Sequence, residues 1–177
     1  MIAQEVVKSA FVPARSERVA VLRDGLVAGA LGAATVALWF LLLDVIQLRP
    51  LHTPTVLGTL LMAGPEAARV ATPSAAPIAF YTVFHVAVFA SLGLGLSWLT
   101  TLFERQPMVG FVMLMLTLFL QVGFFVVDAA VDTMLSGQLG AWKIVLANLF
   151  SAVVMVTYVW RHHPGIGASL ARVWDRD

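Results

Sequence analysis

The chain has 177 residues, 60% of them hydrophobic and only 12% charged, with a formal net charge of +1. Soluble domains typically hold about 45–50% apolar and about 25% charged residues, so a water-soluble globular enzyme is excluded first, and a disordered chain with it. Cys is absent, which excludes disulfide scaffolds, Cys-ligated metals and thiol catalysis, and the near-neutral charge leaves no concentrated basic face for nucleic acid.

What remains is an integral membrane protein of the all-α class. A helix needs about 20 apolar residues to cross about 30 Å of hydrocarbon, and lipid offers no partners to open backbone polar groups. Residues 1–23 mix polar and apolar types and carry Lys8, Arg15, Arg18 and Arg23. They read as a cytoplasmic or interfacial segment in which Pro13 can open a short helix, not as a cleaved signal. Four spans follow, at about 25–46, 77–103, 108–132 and 142–160, forming a four-helix transmembrane bundle within residues 24–161. Residues 162–177 form a tail.

Between spans one and two lies a long connection, Leu48 to Ala76. Thr53 reads as an N-cap with Pro54 at the first helical position, and Val56, Leu57, Leu60 and Leu61 repeat at helical spacing. That piece is too short to span and too apolar for a solvated loop. It is expected to be a short interfacial or re-entrant helix. The other connections, Glu104–Pro107 and Ser136–Gly140, are tight.

Eight Lys and Arg residues fall on one side of these spans. Only Arg49, Arg69 and Lys143 fall on the other. The excess places both termini in the cytoplasm. Helix association in lipid relies on small residues and polar contacts. Gly25, Gly29 and Gly32 offer such a surface in span one, Ala87, Ser91 and Gly95 in span two, and Ala147, Ser151 and Ala152 in span four. Span three is bulky and suits lipid or a partner.

Polar groups inside a span cost roughly 2.5–3.5 kcal/mol on insertion scales, so their positions are informative. Gln121, Asp128 and Asp132 share one face of span three, at spacings of seven and four. Counted inward from the outer ends, Asp44 lies about 5 Å deep, Asp128 and Asn148 about 9 Å, and His85 about 12 Å. Tyr81 is one turn from His85. Two readings of this cluster stay open. In one it is an interhelical network, with Asp44 paired to Arg49, Lys143 reaching Asp132, and His85 bonded to Asn148 or Asp128. In the other it lines an outward-facing pocket for a cation, proton or small polar ligand. No catalytic nucleophile motif, paired metal-ligand motif or axial-haem pair is present, so no catalytic, metal or cofactor residues are assigned.

Two strings, Asp44-x-x-x-x-Arg49-Pro50-x-x-Thr53-Pro54-x-x-Leu57-Gly58 and Tyr158-x-Trp160-Arg161-His162-His163-Pro164, resemble a group of small four-helix bacterial inner-membrane proteins. The resemblance implies the fold and no activity. The expected role is that of a non-catalytic accessory or structural subunit of a larger bioenergetic membrane assembly, surrounded by lipid and by partner subunits or further copies. The alternative is a small transport or ligand-binding protein that uses the polar cluster.

Overall fold

A computed structural model describes residues 14–105, 130, 133 and 140–162. The protein is all-helical, without a strand among the described residues, and three of its helices are long and apolar enough to cross a membrane. It is a multi-pass membrane protein. Helix α1 runs Ala14–Ile46, α2 His52–Ala63, α3 Pro65–Arg69, α4 Ala75–Arg105 and α5 Ala141–His162. The expected third span, 108–132, lies outside the described residues.

Helix α1 is continuous for 33 residues, so the short N-terminal helix anticipated after Pro13 and the first span are one element. Asp24 and Asp44, both buried, bracket its apolar stretch. They stand twenty residues apart, about 30 Å along a helix and close to the hydrocarbon thickness. Asp24 takes the Arg23 Nε–H at 2.9 Å.

Helices α1 and α4 run antiparallel and touch backbone to backbone. A Cβ at Gly25 would lie 2.7 Å from Leu94 Cα, one at Gly29 would strike the Phe89 carbonyl, and one at Gly93 would strike the Gly25 carbonyl. Only glycine permits this approach. The α1 half of the seam is the one the sequence offers, but the α4 half is different. Ala87 and Ser91 are exposed, and Gly95 faces open space. The contact surface is instead Phe89, Ala90 and Gly93, a quarter-turn or more away.

Helix α5 packs antiparallel on a neighbouring face of α1. Val36, Phe40 and Ala147 form its core with Trp39 and Ile144 against them. Trp39 Nε1 donates to the Lys143 carbonyl at 3.0 Å, and Ser151 and Met155 meet α1 at Gly32. At its far end His162 Nδ1 donates to the Tyr158 carbonyl at 2.8 Å and stacks on that ring at 4.2 Å, closing the last turn.

The glycine seam makes a paired prediction. Gly93→Ala forces α1 and α4 apart and lowers stability by about 1–3 kcal/mol. Gly95→Ala, in open space, is neutral or gains up to about 1 kcal/mol from helix propensity. Thermal unfolding of the two detergent-solubilised variants against the wild type checks both.

Candidate functional site

Short helix α2 begins two residues earlier than the sequence suggests. Its N-cap is Leu51, in the left-handed region at φ 65°, and Leu51 makes no side-chain cap. Thr53 therefore sits at the second helical position and does not cap the helix. The cap comes from α1 instead. Asp44 Oδ2 accepts the Thr53 N–H at 2.7 Å, and Asp44 Oδ1 accepts the Thr53 hydroxyl at 2.8 Å. A carboxylate at a helix N-terminus satisfies an orphan donor and meets the positive end of the helix dipole. The anticipated Asp44–Arg49 ion pair is absent. Arg49 contributes only its backbone N–H, which donates to the Asp44 carbonyl at 2.9 Å. The turn reverses so sharply, through Leu48 (φ 57°) and Leu51, that the guanidinium departs from the carboxylate.

Helix α2 is then seated on α4 by Gly58, whose missing Cβ admits the Pro77 backbone. Val56 and Ala68 form a small apolar core beneath it. With α2 fixed at its start and its middle, a cavity of about 400 Å³ opens between α1 and α4 at the Asp44 end. Half of its α1 wall is alanine, Ala30, Ala33, Ala34 and Ala37, and the rest includes Val36, Phe40 and Leu41. Its polar groups are Asp44 and Thr53 at the mouth and Tyr81, Thr82 and His85 along α4.

His85 closes the floor of this groove. Its Nε2 lies 3.2 Å from the Ala33 carbonyl oxygen, which can only accept, so Nε2 carries the proton. Nδ1 lies 3.5 Å from the Tyr81 hydroxyl. The ring also packs on Phe89 at 4.7 Å. The imidazole thus links α4 to α1 through a backbone carbonyl. Of the two partners expected for it, Asn148 is on α5, which packs on a different face of α1, and Asp128 lies outside the described residues.

Of the seven candidate residues, Asp44, Tyr81 and His85 share the groove. Asn148 is half-buried outside it. Gln121, Asp128 and Asp132 lie outside the described residues, as does the proposed Lys143–Asp132 pair. Thr53 and Thr82 join the site without having been singled out for it. Thr53 carried a usable signal: it stands nine residues after Asp44, at the start of a helix whose N-terminus needs an acceptor. Among the described residues no group of three or more potential metal ligands forms.

Compared with known proteins, the chain matches no family model, and no curated protein or solved structure matches it.

The Asp44–Thr53 cap is directly testable. Asp44→Ala removes both bonds and is expected to cost about 1–3 kcal/mol. Thr53→Val removes only the hydroxyl bond and costs less. In a double-mutant cycle on thermal unfolding, the two substitutions couple by about 1 kcal/mol rather than adding.

Proposed function

We propose that this chain is a non-catalytic multi-pass membrane protein that holds an amphipathic, membrane-dissolved molecule in the groove between α1 and α4. The observation that carries this reading is the groove's chemistry. It is a largely apolar space of about 400 Å³, with four alanines on its α1 side and Asp44, Tyr81, Thr82 and His85 among its lining. Ligand sites are typically cavities of about 300–1,000 Å³, mostly apolar, with a few convergent polar groups. The alanines leave room for an apolar body. Asp44, already anchored by Thr53, and the Tyr81–His85 pair suit a head that donates hydrogen bonds.

The described helices also support a four-pass topology. Both α4 and α5 are antiparallel to α1, so α4 ends at the Asp24 end while α5 starts at the Asp44 end. For the connection between Arg105 and Ala141 the sequence supplies the apolar run 108–132, long enough for a further pass. The Lys and Arg excess then assigns the Asp24 end to the cytoplasm. Helix α2, at 12 residues about 18 Å long, lies at the opposite interface. Placement in a bacterial inner membrane rests on the resemblance alone.

A second reading, the accessory subunit, is favoured by one observation. Ala87, Ser91 and Gly95 turn away from the α1 seam, and small residues at spacing four serve helix contacts better than lipid contacts.

The decisive comparison is the content of apolar small molecules in mildly purified wild type, Ala37→Trp and Ala87→Trp, read by mass spectrometry. The wild type is expected to retain a bound molecule. Ala37→Trp, which fills the groove, retains about tenfold less or lower, as a loss of about 1.4 kcal/mol requires. Ala87→Trp retains it in full but loses any co-purifying partner or further copy if the second reading holds. Equal content in wild type and Ala37→Trp refutes the groove.

A further inference from the structure

A second depression, of about 710 Å³, lies at the Asp44 end between the α1–α2 turn and the α3–α4 linker. We infer that it binds the phosphate of an anionic phospholipid headgroup. Arg49, His52 and Arg69 all line it. Among the described residues, the Arg49 guanidinium and the His52 imidazole have no hydrogen-bond or ion-pair partner. Arg69 is held by Glu66 at 2.8 Å, which fixes its position at the rim. The other nearby carboxylate, Asp44, is buried and turned to Thr53. Among the described residues, the Arg49 guanidinium is thus the charged group of the depression that no carboxylate pairs.

Helix α2 contributes its side chains here and not its free amides. The Thr53 N–H goes to Asp44, the His52 N–H goes to the Arg49 carbonyl, and Pro54 has none. An anion in the depression is thus bound through the Arg49 guanidinium, whose planar fork matches phosphate oxygens, with the His52 imidazole beside it. Two of the three Lys and Arg residues that the sequence places on this side of the membrane, Arg49 and Arg69, meet at this one spot.

The rim decides between a lipid and a dissolved anion. Leu48 is 88% exposed and Val70 79%, the highest values among the exposed large apolar side chains of the described residues, and both line the depression. A site for an aqueous ion has no use for such neighbours. A headgroup site does, because apolar side chains beside basic ones anchor at the boundary between headgroups and acyl chains. The left-handed Leu48 and Leu51 turn Leu48 outward next to Arg49. This inference rests on the membrane reading but not on the occupant of the α1–α4 groove.

The test uses the full chain in nanodiscs of phosphatidylcholine, with and without phosphatidylglycerol, and in detergent with inorganic phosphate. Retained phosphatidylglycerol is counted by native mass spectrometry, and thermal midpoints are followed in parallel. The wild type is expected to retain phosphatidylglycerol and to melt higher in its presence, with no response to inorganic phosphate. Combined Arg49→Gln and His52→Gln weakens retention by about tenfold or more, as loss of charge-assisted bonds requires. Arg49→Lys keeps most of it, and Ala37→Trp leaves it unchanged, separating this site from the groove. If inorganic phosphate protects the wild type as well as the lipid does, the lipid assignment is overturned in favour of a free anion. Equal phosphatidylglycerol retention by the wild type and the double variant overturns the site altogether.

Discussion

Lipid tails are as apolar as the side chains of a membrane helix, so nothing pushes two such helices together merely because they are apolar. What holds α1 to α4 is the backbone contact of Gly25, Gly29 and Gly93, where dispersion over many close atom pairs replaces the hydrophobic drive of a soluble core. The rest of the structure is referred to that contact. It fixes the rotation of both helices and brings His85 within reach of the Ala33 carbonyl. It also leaves the alanine face of α1 opposite α4 at the Asp44 end, where the groove opens. A Cβ on any of the three glycines separates the helices and takes the groove's floor with it.

The second fixed point is electrostatic. A carboxylate inside a span costs roughly 2.5–3.5 kcal/mol. Asp44 offsets this with two hydrogen bonds to Thr53 and a helix dipole, contributions of about 1–2 kcal/mol each. Together these contributions exceed the cost, so Asp44 adds about 1–3 kcal/mol of net stability. Its consequence is positional. It ties the end of α1 to the start of α2 across the sharp Leu48–Leu51 reversal and so determines where α2 lies against α4.

The sequence makes the spans legible because hydropathy depends only on summed composition along the chain. Val19–Ile46, Ala75–Thr101 and Trp142–His162 match the expected first, second and fourth spans to within a few residues at most of their ends. The first begins six residues earlier because nothing between Ala14 and Gly25 breaks a helix. Rotation about the helix axis is another matter. When both the lipid-facing and protein-facing sides are apolar, periodicity carries no rotational signal. The small-residue stripe Ala87–Ser91–Gly95 therefore looked as good a seam as the true one at Gly93. His85 shows the same limit in polar form. Its partner is a backbone carbonyl, a group every residue possesses, so no side-chain inventory could have named Ala33. Asp44 and Arg49 looked like a pair because they are close in the chain. The reversal between them depends on two leucines in the left-handed region, which leucine seldom adopts and composition does not announce.

That same reversal relates the two candidate sites. Along one short stretch, Asp44, Leu51, Thr53 and Pro54 face the groove, while Leu48, Arg49, Pro50 and His52 face the basic depression. A single turn of chain, pinned by one carboxylate, therefore forms a wall of both. A molecule lodged in the groove presses on the side of this turn opposite Arg49 and His52. A phosphate held by those two residues would contact the turn's opposite side. Binding at the two places is coupled to the extent that the Asp44–Thr53 cap can yield, because any displacement of the turn has to lengthen those two bonds. A rigid cap keeps the sites independent, and a yielding one makes occupancy of the groove depend on the headgroups at the membrane surface.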